Sequence, residues 1–323
     1  MPAISASAPG KIILFGEHAV VYGQPAIAAP VSKLRARAVV MPDVHAPAGR
    51  IWIQAPDIGL EANLEDLPAD HPLALTVRLV LAELGIAKPP AFCIRVSSSI
   101  PLAAGMGSGA AVAVAMMRAS AAFLGKRLPN ERVSALAYEV EKLHHGTPSG
   151  IDNSVVSYEK PIYYQRGQPI QIMRVSRPFT VIIADTGIPS PTAQAVGDVR
   201  RVWSAQPERY ETWFNHIGEI SRKARGLIEA GEIEVLGPLM DENHALLQNI
   251  GVSSPELDRL VKAARQAGAL GAKLSGGGRG GNMIALVTSE MGQVVAQALR
   301  AEGAVQAFLT EIHQPQEAAP DGY

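Results

Sequence analysis

The stretch Pro101-Leu-Ala-Ala-Gly-Met-Gly-Ser-Gly-Ala-Ala111 runs directly into an apolar segment that ends at Leu124. This pattern is typical of a glycine-rich loop that opens into a helix, because glycine lets a ligand approach the backbone and adopts positive φ. The first N–H groups of a helix have no intrahelical acceptor and attract anions, most often phosphate. Ser108 lies where the helix would begin, which makes it a candidate N-cap and a hydroxyl directed at that anion. The stretch favours a nucleotide enzyme over a turn that serves packing alone.

This loop differs from two common nucleotide-binding fingerprints. The pattern GxxxxGK[ST] needs a lysine beside the serine, and none stands here. The dinucleotide pattern GxGxxG is also absent from the loop, and no acidic residue follows at the spacing of about 20 residues that this fold uses. Cationic side chains that neutralise a phosphate must therefore come from other parts of the chain.

Composition narrows the class of protein. The chain has 323 residues, 47% of them hydrophobic and 18% charged, which is enough for one large domain or two with a sizeable core. A net charge of −1 argues against a nucleic-acid partner, which would need a broad basic surface. The single cysteine, Cys93, excludes an internal disulfide, and eight scattered histidines give no zinc pattern. Since no secretory leader or membrane-spanning run is visible, we expect a cytoplasmic protein with no membrane partner.

Hydrophobic periodicity predicts an α+β chain in which mixed strands precede a mainly helical stretch. Strands are predicted at 11–15, 26–31, 34–41, 51–54, 91–96, 155–158, 161–164, 180–184 and 283–288. Helices are predicted at 73–84, 109–124, from 130 to 146, across most of 194–266 and at 293–301, and residues 56–72 are predicted to be a loop. A boundary near 175–190 divides the chain into predicted domains 1–180 and 181–323.

Four charged residues outside the loop suit phosphate chemistry. Lys11 begins an apolar strand, and Glu17 follows the turn at Gly16, although for this segment alone a strand end and a polar turn are the better explanation. Glu141 falls on an apolar helical stripe, where a carboxylate is costly unless it is paired or bound to a metal. Asp152 follows 11 residues later, beyond a Pro/Gly turn, where a helix cap is the alternative role. Two acids beside a phosphate can divide the work, one holding Mg²⁺ and one meeting the nucleophile.

The run Lys273-Leu-Ser-Gly-Gly-Gly-Arg-Gly-Gly281 is a second glycine-rich segment. A flexible linker is one interpretation of such a run. Because apolar strand residues flank it closely, a tight turn against a ligand is the better interpretation.

Three segments together resemble the motifs of the GHMP kinases, the family named for galactokinase and the homoserine, mevalonate and phosphomevalonate kinases. They are APGKIILFGEH at 8–18, PLAAGMGSGAA at 101–111 and KLSGGGRGG at 273–281, and they stand in the family's order over nearly the whole chain. Four further segments are similar to the members that phosphorylate mevalonate: GEHAVVYGQPA, HHGTPSGIDN, ADTGIPSPT and MDENHALLQNIGVSSPELDRLV.

The resemblance implies a two-domain GHMP kinase fold with ATP and substrate in the cleft between the domains. It implies transfer of the ATP γ-phosphoryl group to the primary hydroxyl of mevalonate, which gives 5-phosphomevalonate and ADP in isoprenoid biosynthesis. The implied cofactors are ATP and Mg²⁺. A homodimer is compatible with the resemblance, since relatives are often dimers.

The resemblance also assigns roles to individual positions. Asp152 and Lys11 would be catalytic, and Glu141 with Ser108 would hold the metal. The positions that match the substrate pocket are Lys11, Glu17, His18, Ser149, Asp152 and Thr192. The positions that match the nucleotide site are Ser98, Pro101, Ala104, Gly105, Met106, Gly107, Ser108, Gly109, Ala110, Gly276, Gly277 and Gly278.

Two positions depart from the family pattern. Relatives often have a second serine that reaches Mg²⁺ where this chain has Gly109, so either Ser108 or water takes that place. Arg279 stands where relatives often have glycine. Its side chain either clamps a phosphate, which would also alter nucleotide preference, or points to solvent.

Other activities fit the same fold, because substrate choice depends on the site and not on the fold. A phosphomevalonate kinase or a mevalonate-phosphate decarboxylase needs a positive pocket for the substrate's phosphate, and the segment near Glu17 and His18 offers little extra positive charge. A non-catalytic ligand sensor would tolerate loss of the charged residues, yet Lys11, Glu141 and Asp152 are all present.

Overall fold

The computed structural model describes residues 2–101, 104–145, 148–190 and 192–314, with the backbone alone at 144–145. These residues form two compact units. The first unit contains the described residues up to Lys11, residues 31–101 and Met106–Tyr158. The second contains Ile12–Pro30, residues 104–105 and the described residues from Glu159 onward. The division of the chain into domains at 180 stays a prediction.

The first unit combines a sheet with four helices. Its strands lie in the order β4, β3, β5, β2, and β1 also pairs with β2. The strands are β1 (Ile4–Phe15), β2 (Ala26–Pro42), β3 (Ile51–Ala55), β4 (Leu60–Asn63) and β5 (Phe92–Ser98), and the helices are α1 (Pro72–Glu83), α2 (Ser108–Phe123), α3 (Asn130–His145) and α4 (Ile151–Tyr158). Residues 12–15 of β1 and 26–30 of β2 belong to the second unit. Helix α2 packs against α1, α3 and α4, and its alanines and methionines are buried nearly all round, as expected of a helix in the core.

The second unit contains an antiparallel sheet in the order β11, β8, β10, β9. Its strands are β8 (Phe179–Asp185), β9 (Gly271–Ser275), β10 (Asn282–Val287) and β11 (Gln306–Ile312), while β6 (Ile162–Tyr164) pairs with the start of β2 and with β7 (Gln171–Ile172). The helices are α5 (Thr192–Ala205), α6 (Pro207–Ala230), α7 (Leu236–Ile250), α8 (Pro255–Gln266) and α9 (Gly292–Ala301). Asn282 at the start of β10 lies opposite Asp185 at the end of β8 and Ser275 at the end of β9. These three strand ends therefore lie side by side at one end of the sheet. The loop at 276–281, called the third loop below, connects β9 to β10 at this end.

The structure corrects four local predictions. Residues 155–158, predicted as a strand, form the second half of α4, and residues 60–63 form β4 within the segment predicted as loop. Strand β11 was not predicted at all. Helix α2 begins at Ser108 with Gly107 as its N-cap, so Ser108 is the first helical residue and not the cap. Among the described residues, no helix has the length and apolar character needed to cross a bilayer.

Candidate active site

The candidate site residues of the first unit lie around the start of α2. Gly107 has a φ of 70°, in the left-handed region that residues with a side chain rarely adopt. This conformation directs the chain into the first turn of α2. The preceding residue, Met106, is buried, and its carbonyl accepts a hydrogen bond from the Lys11 backbone N–H at 3.0 Å. The loop is thereby attached to β1 at the residue whose side chain carries the charge.

An ion pair lies directly beside this loop. Lys11 Nζ is 3.1 Å from Asp152 Oδ1, and the side chains are 5% and 25% exposed respectively. A Cβ atom on Gly107 would lie 3.0 Å from Lys11 Cγ and 3.5 Å from Asp152 Oδ2. A side chain at position 107 would therefore crowd the pair, so glycine leaves the lysine and the carboxylate open to the loop.

The first turn of α4 positions Asp152. Ser149 Oγ accepts a hydrogen bond from the Ile151 N–H at 3.3 Å and so caps the start of the helix. The next residue, Asn153, donates from Nδ2 to the Ser134 carbonyl and hydroxyl at 3.1 and 2.9 Å, which ties α4 to α3. Ser149 was predicted to bind substrate, and the structure gives it a role in the turn that holds Asp152.

Glu141 is the second acid of this part. It projects from α3 and is only 3% exposed, on the same stripe as Val133 and Ala137, as the sequence predicts. Its pKa is raised to about 8, mainly by burial and also by the negative charge of Asp152, while Lys11 opposes both effects. A carboxyl group in this environment needs additional positive charge to be ionised at neutral pH, and a divalent cation would supply it.

Four further residues of the first unit were predicted to bind the nucleotide, and they lie at the end of β5, at the start of the loop and in the first turn of α2. Ser98 ends β5, where its hydroxyl accepts from the Ile100 N–H at 3.1 Å and its own N–H donates to Asp57 Oδ2 at 2.8 Å. Gly109 and Ala110 lie in the first turn of α2, among the N–H groups that lack an intrahelical acceptor. Pro101 is half-buried at the start of the loop.

The candidate site residues of the second unit lie around a buried ion pair that sequence analysis missed. Lys273 Nζ binds Glu17 Oε1, and both side chains have 0% exposure. The same ammonium group donates to the Leu274 carbonyl at 2.7 Å. Burial lowers the pKa of Lys273, and Glu17 opposes this effect. The pair fixes the turn after β1 to strand β9.

His18 follows Glu17 in this turn and has φ of 59°, which is unusual for a residue other than glycine. Its Nε2 lies 2.9 Å from the Gly277 carbonyl, so Nε2 must carry the hydrogen and donate it. The pKa of His18 is lowered to about 4, mainly by burial; the hydrogen bond to Gly277 opposes this shift, and the positive charge of Arg279 adds to it. His18 is therefore neutral at pH 7, and Nδ1, which carries no hydrogen in this tautomer, is an acceptor.

The third loop is packed tightly against the segment that leads into α5. A Cβ atom on Gly277 would lie 2.5 Å from Thr192 Oγ1, so only glycine allows this approach. Ser190 Oγ donates to the Gly278 carbonyl at 2.8 Å. The structure thus brings the predicted substrate residue Thr192 against the predicted phosphate loop.

Two predicted residues of the first glycine-rich loop also lie in the second unit. The Ala104 carbonyl accepts from Asn282 Nδ2 at 2.5 Å, and a Cβ atom on Gly276 would touch the Gly105 carbonyl at 3.5 Å. Ser275, at the end of β9, exchanges two hydrogen bonds with the Ile13 backbone, at 3.0 and 2.9 Å. These contacts hold residues 104–105 and β1 to the third loop.

Arg279 has a protein partner that neither alternative from the sequence included. Its Nη1 binds Asp198 Oδ2 on α5, and its backbone N–H donates to the Val252 carbonyl at 2.8 Å. The partners of Arg279 and Lys273 lie 81 and 256 positions away in the chain. Both Lys273 and Arg279 can be picked out from the sequence because they belong to the third motif. No local sequence pattern identifies the carboxylate that each of them binds.

Comparison with known proteins agrees with this arrangement. Residues 72–160 match the GHMP kinases N terminal domain, and residues 224–305 match the GHMP kinases C terminal domain. The chain belongs to the GHMP kinase family, and its α+β fold is the one that the motifs predict.

Individual relatives are more specific. The chain is 38% identical to a mevalonate kinase of Thermococcus sibiricus over 93% of both chains, and 37% identical to one of Thermococcus gammatolerans over 96% of both. A crystal structure of L. major mevalonate kinase in complex with R-mevalonate has a TM-score of 0.81 at 30% identity, covering 98% of this chain and 97% of that one. The Methanococcus jannaschii mevalonate kinase has a TM-score of 0.83 at 26% identity, covering 98% and 99%.

Proposed function

We propose that this protein is an ATP-dependent kinase that phosphorylates the primary hydroxyl of mevalonate. The choice of acceptor is supported by full-length similarity to mevalonate kinases. The observation that carries the chemistry is the Lys11–Asp152 pair at 3.1 Å beside the start of α2. Glutamate or aspartate with a nearby lysine is a suitable set of groups for activating a hydroxyl without a covalent intermediate.

In the proposed reaction, the hydroxyl oxygen of the acceptor attacks the γ-phosphorus of ATP. The bond from that phosphorus to the β-bridging oxygen breaks, ADP leaves, and the hydroxyl proton passes to the Asp152 carboxylate. Lys11 orients the hydroxyl and stabilises the negative charge that develops on its oxygen. Because phosphoryl transfer has a loose transition state, positioning and charge stabilisation matter more than the strength of the base.

The phosphates are proposed to bind at the start of α2 and at the third loop. Unpaired N–H groups in the first turn of α2 are suited to an anion, and the glycines at 276–278 leave the backbone accessible. Ser98, Pro101 and Ala104–Ala110 keep their predicted roles at the nucleotide. ATP use agrees with membership of this kinase family.

Mg²⁺ fits the acidic residues of the first unit. Glu141 is buried with a pKa raised to about 8, and the Asp152 charge contributes to that shift. No group of three or more His, Cys, Asp or Glu gathers among the described residues, but Mg²⁺ commonly binds one or two carboxylates together with water and phosphate oxygens. We propose that Glu141 holds the ion, with Ser108 or water at the position of the missing serine. When bound, the ion neutralises charge on the transferred phosphate.

The acceptor is proposed to contact His18 and Thr192 in addition to Lys11 and Asp152, and the fully buried Glu17 serves the substrate pocket by holding the turn that carries His18. Neutral His18 offers Nδ1 as an acceptor for a substrate hydroxyl, since its Nε2 hydrogen is donated to Gly277. The sealed Lys273–Glu17 pair holds the turn that carries this histidine. Cytoplasmic location, a homodimer and an active site between domains remain predictions.

An assay of ADP release tests the function directly. Purified protein with ATP and Mg²⁺ is offered mevalonate, mevalonate phosphate, galactose and homoserine in parallel. We expect turnover with mevalonate alone. Turnover with another acceptor and none with mevalonate would show that the substrate is wrong. A thermal shift on adding mevalonate and ATP without ADP formation would favour the sensor.

A further inference from the structure

Arg279 occupies a backbone conformation that is costly for arginine. It has φ of 59° in the left-handed region, within a loop whose other residues from 276 to 281 are all glycine. Among the described residues only His18, Glu159 and Arg279 are non-glycine residues with positive φ. Glycine at 279 would adopt this conformation without strain. The cost persists because the surrounding contacts hold the residue in place.

The contacts of Arg279 divide into two kinds. Its backbone N–H donates to the Val252 carbonyl at 2.8 Å, and this bond is independent of the side chain. Its guanidinium binds one oxygen of Asp198, while Arg201 on the same helix as Asp198 binds the other oxygen. Both arginines lower the pKa of Asp198, with Arg279 as the larger influence. The Arg279–Asp198 pair, 33% and 26% exposed, therefore joins the third loop to α5, whereas the Arg201–Asp198 pair stays within α5.

The helix that this pair holds carries a predicted substrate residue. Thr192 begins α5 and lies against Gly277, whose carbonyl in turn accepts from His18. Asp198 lies six residues further along α5, roughly 9 Å along the helix axis. The helix is thus attached to the third loop at two levels, through Ser190 and Gly278 before its first turn and through Asp198 and Arg279 near its second. Helix α5 also packs on α6, and the Asp198–Arg279 pair adds a direct link between its second turn and the third loop, which restrains the first two turns and Thr192 with them.

We propose that Arg279 is a positioning residue that sets the placement of Thr192 for the acceptor through its ion pair with Asp198. This role rests on the proposed function, in which Thr192 contacts mevalonate. The third loop keeps its Val252 hydrogen bond when the side chain is removed, so the phosphate side of the site is left in place. Loss of the pair therefore weakens acceptor binding and leaves ATP binding nearly unchanged.

The decisive variant is Arg279→Gly, because it removes the ion pair and relieves the backbone strain together. We expect the KM for mevalonate to rise about fivefold or more, with the KM for ATP within about twofold of wild type. The thermal midpoint should stay the same or rise, which separates this effect from general destabilisation. Asp198→Asn should reproduce the rise in KM, and Arg279→Lys should restore part of the affinity.

Arg201→Ala is the matched control. Arg201 is the other arginine bound to Asp198; its side chain is 76% exposed and lies on the same helix. Because its removal leaves α5 attached to the third loop, we expect both KM values to stay unchanged. Equal rises in both KM values in Arg279→Gly would favour a phosphate clamp and overturn the proposal. Wild-type KM for mevalonate in that variant would overturn it as well.

A second readout keeps this test separate from the test of function. Amide hydrogen exchange across residues 192–198 should be faster in Arg279→Gly than in wild type, and unchanged in Arg201→Ala, whichever acceptor the enzyme uses. If wild type fails to phosphorylate mevalonate but exchange still rises, the proposed function is wrong and the attachment of α5 stands. If exchange is unchanged, the positioning role is wrong even for an active mevalonate kinase.

Discussion

Two lysine–carboxylate pairs stand in the two units, and they differ mainly in access to solvent. Lys11–Asp152 leaves the carboxylate 25% exposed, whereas Lys273–Glu17 is completely sealed. A group that exchanges a proton with a substrate must be reachable, so only the first pair suits the chemical step. A sealed pair can fix a turn but cannot meet a substrate through the buried oxygen that the lysine binds. The two pairs have the same types of group, so their difference in solvent exposure is what suits one to the reaction and the other to holding the fold.

The largest expected effect tests the exposed pair. Asp152→Asn removes the proton acceptor and keeps the size of the side chain, so kcat should fall by about 10²- to 10⁴-fold. Steady-state kinetics with mevalonate measure this fall, while ATP binding by calorimetry should be retained. Glu83→Gln is the control, because Glu83 is similarly exposed at 23% and pairs with Arg132 in the same unit. Near-normal turnover in Asp152→Asn would remove the assigned role.

The second prediction tests the sealed pair. Lys273→Met leaves Glu17 buried without its cation, and breaking a buried pair in this way costs on the order of 3–5 kcal/mol of unfolding free energy. Urea denaturation measures the loss. Lys142→Met, which breaks a pair with Glu139 at 44% and 49% exposure, should cost under about 1 kcal/mol. Similar losses in the two variants would mean that burial does not distinguish the pairs.

The third prediction tests Glu141, which is as buried as Lys11 and is proposed to bind Mg²⁺. Glu141→Gln removes the charge that holds Mg²⁺, and we expect the Mg²⁺ concentration for half-maximal activity to rise about tenfold. A Mg²⁺ titration of initial rate measures it. Glu139→Gln, at an exposed position one half-turn away on α3, should titrate as wild type does. An unchanged midpoint in Glu141→Gln would count against a metal role.

The smallest effect concerns the pH dependence of the sealed region. Burial lowers the pKa of His18 from 6.5 to about 4, so the unfolded state binds this proton first as pH falls. The contribution to stability is complete above pH 6.5 and is lost toward pH 4. His18→Asn keeps a residue that tolerates positive φ but does not titrate. The loss of unfolding free energy between pH 7 and pH 5 should shrink by on the order of 1 to 2 kcal/mol.

Urea midpoints at the two pH values check this prediction. His216→Asn alters an exposed histidine paired with Glu242 and serves as the control. A pH dependence in His18→Asn equal to that of wild type would show that the histidine is not held neutral by the fold.

Sequence reasoning identified the family and the kinase fold, and it predicted the acids of the first unit, because all three depend on local patterns. The spacing of Val133, Ala137 and Glu141 places the carboxylate on the buried face of α3, as the structure confirms. The strand predicted at 155–158 failed because its two valines favour strands, while the turn at 148–150 and the packing of α4 on α3 impose a helix. Tertiary contacts outweigh the strand propensity of so short a segment.

The supporting contacts of the second unit could not be predicted in the same way. Lys273 was visible only as the first residue of a motif, and its partner Glu17 lies 256 positions away. Arg279 was noticed as a departure from the family, but its bond to Asp198 depends on how α5 packs on the third loop. Pairings of this kind depend on three-dimensional contacts for which a single sequence gives no signal. The roles of the individual site residues remain predictions for the experiments above.

The two hydrogen bonds between Ile13 and Ser275 span 262 positions. At translation rates of about 5–20 residues per second, a ribosome needs roughly 13 to 50 s to make the chain between them. During that interval the end of the first strand has no partner on β9, and its apolar side chains are available to chaperones or to other nascent chains. The yield of native protein should therefore depend on how the cell shields these early residues until the last quarter of the polypeptide emerges.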